Sequence, residues 1–200
     1  SRRNPSCRRT KVNPSLIPCH CDTDLLRLLL FLGTLTILIK ATEQRKLIAD
    51  KVPEKRRANF LNPKPIEIRD VDPPDLFNPE PTSDKNFLWF KVDGTLSAKD
   101  QWVHHCFLAY ASDVSLLGSG NRPHGVSAYS GDVMLASLDH AMWFHEKIDF
   151  NNWYLYEMDS PFSGAARSLN RGKVFSQDGT LVASVAQEGL MRPLKRKPNT

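Results

Sequence analysis

Four cysteines in 200 residues, three of them (Cys7, Cys19, Cys21) within the first 21 positions, make no disulfide framework. Cys19 and Cys21 are too close for an ordinary bridge, so a reducing compartment is favoured. Cys7 with Cys19-His20-Cys21 matches no standard zinc spacing. His140 and His145 have no Cys or acid at ligand spacing beside them, so no metal site is expected. No acid precedes Asp22, and five of the 27 basic residues do, which leaves 22 bases against 22 acids in the remainder. The body is therefore neutral, only the two tails are basic, and the balance argues against a nucleic-acid-binding body. No uncharged apolar run approaches the ~20 residues of a spanning helix. The longest, Leu28–Ile39, has 12. A basic stretch before an apolar run resembles a signal peptide, but no small-x-small cleavage site follows. Phosphate-binding and dinucleotide-binding glycine motifs and a Gly-x-Ser-x-Gly elbow are all missing, which excludes the P-loop, Rossmann and α/β-hydrolase classes.

What is present divides in three: a basic irregular tail over 1–24, a helical extension or linker over 25–61, and a globular body over 62–192, with a short basic tail at 193–200. Pro53 is expected to break or start a helix within the linker. In the body, Pro65–Arg69 alternates Ile66 and Ile68 with Glu67 and Arg69, the pattern of a half-buried strand. Residues 70–85 carry Pro73, Pro74, Pro79 and Pro81 and read as a loop. Phe87–Val92 reads as a strand.

The spacing predicts one long helix over 97–117, capped by Ser97 with Asp100 and stopped by Gly118. Val103, Phe107, Tyr110, Val114 and Leu117 form its expected apolar face. Being apolar over most of its circumference, it should be wrapped by other elements. Strands are expected over Val133–Asp139, Trp153–Asp159, Arg167–Ser176 and Leu181–Met191, with a hairpin turn at Gln177-Asp178-Gly179. One long helix with about five antiparallel strands fits an α+β architecture, a sheet curled around a central helix, the hotdog fold.

Asp113 is the only acid between Asp100 and Asp132, set on that apolar helix. It needs donors or water if buried, and at the C-terminal end the helix dipole disfavours it. The alternative is a solvent-facing aspartate. Ser137 taken alone is a plain strand serine. Gln187 and Glu188 face opposite sides of their strand, so one of them points toward the helix. His124, His140 and His145 lie in the same region and could include a base. Trp143, Phe144 and Trp153 suit core or interface.

Three stretches carry a resemblance: Tyr110-Ala-Ser-Asp113, Ser137-Leu-Asp-His-Ala-Met-Trp-Phe-His145, and Gln177-Asp-Gly-Thr-Leu-Val-Ala-Ser-Val-Ala-Gln-Glu-Gly189. Together they resemble the type II (TesB-like) acyl-CoA thioesterases, over roughly residues 45–192 and in that family's order. The family is built from two tandem hotdogs sharing one sheet, and it cleaves fatty acyl-CoA to fatty acid and CoA. The resemblance implies that this chain is the linker and C-terminal hotdog half. It places the family's aspartate, Ser/Thr and glutamine on Asp113, Ser137 and Gln187, which would position a water without metal or other cofactor. It also implies a fatty acyl-CoA substrate. A lone half exposes a strand edge, so a homo-oligomer or pairing with another hotdog domain is expected. Peroxisomal members exist, which points to the peroxisomal matrix. This chain ends without Ser-Lys-Leu, and the cytosol is the other placement. It begins with Ser, as a fragment or a processed product would. Two rival readings remain: an acyl-CoA-binding hotdog without activity, and a hotdog hydratase or dehydratase using His140.

Overall fold

The structure is a computed structural model that describes residues 35, 38–97 and 99–194. The tail with Cys7, Cys19 and Cys21, most of the apolar run and residues 195–200 lie outside them. Within the linker the chain forms α1 (Ala41–Leu47), a 3-10 turn (Ala49–Lys51) and α2 (Glu54–Leu61), the last starting directly after Pro53. No described helix is long and apolar enough to cross a membrane.

The body holds β1 (Ile66–Asp70), β2 (Asn86–Val92), α3 (Gln101–Leu116), α4 (Gly118–Asn121), β3 (Val133–Ser137), β4 (Ala141–Phe144), β5 (Tyr154–Gly164), β6 (Arg167–Ser176) and β7 (Leu181–Pro193). All described pairings are antiparallel, in the order β1-β2-β5-β6-β7-β3, and β4 lies in line with β3 on the same side of β7. The sheet curls around α3, the hotdog arrangement. Period-2 alternation sends Leu88, Phe90, Tyr156, Met158, Val174 and Val185 toward Leu108, Ala111 and Leu116 of the helix, forming the main core.

A second cluster lies on the opposite face of the sheet. Trp89, Leu155 and Phe175 are buried there under Leu35, with Leu38 and Trp153 packed around them. The end of the apolar run thus folds onto the back of the sheet. Glu67, expected to face solvent, is only 7% exposed. It forms ion pairs with Arg69 (2.8 Å) and Lys40 (3.2 Å), and Arg69 also donates to the Leu35 carbonyl (2.8 Å).

Several expectations are corrected. The helix starts at Gln101 and no capping box forms; Asp100 is the N-cap without a side-chain bond. The preceding loop is held instead by two bonds between Leu96 and the Asn151 side chain. The buried face is His104, Leu108, Ala111, Ser112 and Leu116, rotated from the expected one. His104 sits inside because its Nδ1 accepts the Phe150 N–H at 3.0 Å. Tyr110 and Trp102 are exposed, so the sheet wraps α3 on one side only. Gly118 does not stop the helical path, which continues through α4 and a 3-10 turn to Gly125, whose φ of +56° ends it. Finally, the expected strand over 133–139 ends at Ser137, and β4 follows where no strand was expected.

Candidate active site

The break between β3 and β4 builds the site. Ser137 pairs with Gly189 and Ala141 with Ala186, so three residues of the edge, Leu138–His140, oppose two of β7, Gln187 and Glu188. This is a bulge, the device that re-aims side chains at a strand edge. It is pinned by Leu138 N–H donating to the Glu188 carbonyl (2.9 Å) and Glu188 N–H donating to Asp139 Oδ1 (2.7 Å). The extra residue turns His140 toward α3.

Gln187 follows Ala183 and Val185 on the inward face of β7 and is 1% exposed, while Glu188 points outward to Arg167. Ser137, opposite Gly189, shares the inward face. Asp113 lies in the last turn of α3, its side chain half exposed, as the solvent-facing alternative requires, yet it is not free. Gln187 Nε2 donates to Asp113 Oδ1 at 2.6 Å, a short charge-assisted bond, and Ser137 Oγ donates to the same oxygen at 3.4 Å, a long one. A carboxylate only accepts, which fixes the orientation of the Gln187 amide. Its Oε1 is then buried with no partner among the described residues. His140 Nδ1 lies 3.9 Å from Asp113 Oδ1.

Helix and strand are held close by a glycine. A Cβ at Gly189 would lie 2.0 Å from Leu117 Cδ2. Leu117 is one turn beyond Asp113, and Gly189 is two residues beyond Gln187. The Leu117–Gly189 contact is thus the next rung of the ladder whose first rung is the Asp113–Gln187 bond. The resulting cavity, about 430 Å³, is lined by Ala109, Tyr110, Asp113, Leu138, His140 and Gln187 and opens to solvent.

All three residues singled out in the sequence therefore meet at one carboxylate oxygen. His140 joins them, whereas His145 pairs with Ser184 and His124 with Ser163. Sequence reasoning assigned nothing to Ser112, although it stands in the Tyr110–Asp113 stretch. It is fully buried, and its hydroxyl is 2.9 Å from His140 Nε2. A serine on the inward face of an apolar helix was the available signal. Tyr110 and Leu138 line the cavity and are exposed, whereas Trp143 and Phe144, also exposed and so not core of this chain, point to opposite faces of β4, with Phe144 against His105 of the helix.

The arrangement can orient a small polar molecule against a carboxylate at the edge of an apolar cleft. A family model described as acyl-CoA thioesterase matches residues 62–190. Acyl-coenzyme A thioesterase 8 of Mus musculus is 41% identical over 64% of this chain and 39% of its own length. Peroxisomal acyl-coenzyme A thioester hydrolase 1 of Saccharomyces cerevisiae is 35% identical over 45% of this chain and 26% of its own. Among solved structures, acyl-CoA thioesterase II TesB2 of Mycobacterium marinum superposes with a TM-score of 0.56 and 39% identity, covering 74% of this chain and 54% of that one. The chain thus spans about half, or less, of the length of the relatives it matches.

Proposed function

Because the chain belongs to the acyl-CoA thioesterase family, we propose that its hotdog carries the water-activating half of an acyl-CoA hydrolase, with Asp113, Ser137 and Gln187 as the acting group. The observation that supports this reading is the convergence of Gln187 and Ser137 on Asp113 Oδ1 at the mouth of an open cavity. A thioester carbonyl is electrophilic enough to react with a well-placed water, so positioning and one base suffice. Asp113 accepts a proton as the water oxygen bonds to the carbonyl carbon. The C–S bond then breaks, and the thiolate sulfur takes that proton, leaving a carboxylic acid and CoA thiol. Gln187 steadies the carboxylate through Nε2.

The cleft needs a second wall. Tyr110 and Leu138 leave apolar surface exposed at the cavity beside the β3–β4 edge, which pairs only with β7 among the described residues. Another hotdog domain, or a second copy of this one, covers it and completes the acyl-CoA site. The yeast relative's name supports a peroxisomal placement, which imaging of the tagged chain against a peroxisomal marker tests.

The decisive experiment is thiol release from medium- and long-chain acyl-CoA by the purified chain, on a sample whose mass is known from light scattering. Turnover lost in Asp113→Asn supports the reading. Binding without turnover in an assembled sample supports the binding module. Hydration of an enoyl-CoA without thiol release, lost in His140→Ala but not in Asp113→Asn, supports the hydratase class.

A further inference from the structure

Ser112 sits beside the acting carboxylate and makes four contacts. Its carbonyl accepts the Tyr156 hydroxyl at 3.0 Å. Tyr156 is wholly buried, its ring lying where a side chain at Gly172 would fall: a Cβ there would be 2.3 Å from it. Burial, and then the charge of Asp113, push the Tyr156 hydroxyl well above its usual pKa, so it remains a neutral donor. The Ser112 hydroxyl lies 2.9 Å from the Ala109 carbonyl and 2.9 Å from His140 Nε2, with Met142 Sδ at 3.2 Å.

A hydroxyl has one proton to give. The Ala109 carbonyl, a far better acceptor than a thioether, takes it. Ser112 Oγ must then accept from His140, and Nε2 carries the hydrogen. In the neutral ring this leaves Nδ1 bare, facing Asp113 Oδ1 across 3.9 Å. Two acceptors at that separation repel unless a donor lies between them, and a water about 2.8 Å from each satisfies both. Its hydrogens point to Asp113 and His140, and a lone pair is left toward the open cavity.

We propose that Ser112 fixes His140 in the Nε2–H tautomer, so that the bare Nδ1 and the Asp113 carboxylate together hold the two hydrogens of the attacking water. His140 is then a fourth member of the site, and Ser112 a positioning residue acting through it. The role in turnover rests on the hydrolase reading above; the tautomer does not.

The test joins two readouts on the full chain, assembled as it is isolated. Nitrogen-15 NMR of the histidine rings, with His140 assigned by its loss in His140→Ala, should show protonated Nε2 and bare Nδ1. Ser112→Ala should spread the proton over both nitrogens. In acyl-CoA hydrolysis, His140→Ala should lower kcat about 10–10²-fold with KM little changed, the cost of a misplaced reactant. Ser112→Ala should lose less, and the double variant should be no slower than His140→Ala. A protonated Nδ1 in the unmodified protein, or a double variant that loses the product of the two single losses, overturns the proposal. If acyl-CoA hydrolysis survives Asp113→Asn, it is the assignment of Asp113 as the base that fails, and the nitrogen spectrum still scores the Ser112–His140 arrangement by itself.

Discussion

The two sides of the sheet end differently. On the back, Trp89, Leu155 and Phe175 are closed over by Leu35 and Leu38 of the same chain. On the β3–β4 side, Tyr110 and Leu138 remain 43% and 52% exposed, beside the polar group around Asp113. Both are large apolar surfaces, and burying either is favourable by roughly 25 cal/mol per Å². The back is sealed by a local segment and so contributes to this chain's own stability. The front is left for something else to cover, and it is the front that holds the carboxylate. The main core under α3 lies on the same face as the carboxylate, so it is the β3–β4 rim of that face, not the face itself, that is left open.

Changes at the sealed back and at the open rim should therefore act on different observables. The largest effect is expected at the front. Asp113→Asn should reduce acyl-CoA turnover by about 10²–10⁴ while leaving the melting temperature in place. Steady-state kinetics beside a thermal scan checks both halves, and a large loss of stability would erase the contrast. On the back, Trp89→Ala should cost about 3–5 kcal/mol in urea unfolding, because the indole is wholly buried and leaves a cavity. Leu138→Glu, at the open rim, should leave the chain's own unfolding midpoint nearly unchanged but weaken any association that covers the rim, read by analytical ultracentrifugation.

A smaller effect belongs to the strap that seals the back. Burial raises the Glu67 carboxyl pKa, but hydrogen bonds from Arg69 and Lys40 outweigh it and hold the group below its ordinary value. The stabilisation is therefore full above the unfolded carboxylate value of about 4.3 and is lost as pH falls through the lower folded one. Glu67→Gln should cost about 1–3 kcal/mol at neutral pH and flatten the acid limb of a stability–pH curve. The smallest change is a gain. Ala165 and Ala166 join β5 to β6 with φ of +50° and +60°, a turn that suits Asn-Gly. Ala165→Asn with Ala166→Gly should raise stability by about 1 kcal/mol in the same assay.

Much of this was legible in the residues. Alternation marked β1, strands were read at β2, β5, β6 and β7, and the hairpin at Gln177–Gly179 and the proline loop stand where expected. Asp113 and Gln187 were visible as polar groups in apolar elements. Their neighbours were less so. His104 spoils an apolar pattern until its Phe150 partner is known, so the helix face was read rotated. The bulge at Leu138–His140 has no local marker, because Ala-Ser-Leu-Asp-His reads equally well as one strand continued.

By itself the sequence determined the elements and the polar residues they carry, since periodicity and turn chemistry act over a few neighbours. Tertiary structure alone decided three things. It set the one-residue offset between β3 and β4, which aims His140 at Asp113. It set the close approach of Leu117 to Gly189, which brings Asp113 within reach of Gln187. It sealed the back of the sheet and left the β3–β4 rim of the helix side open. Each depends on contacts between residues tens of positions apart, whose energies are settled only when the sheet closes around the helix.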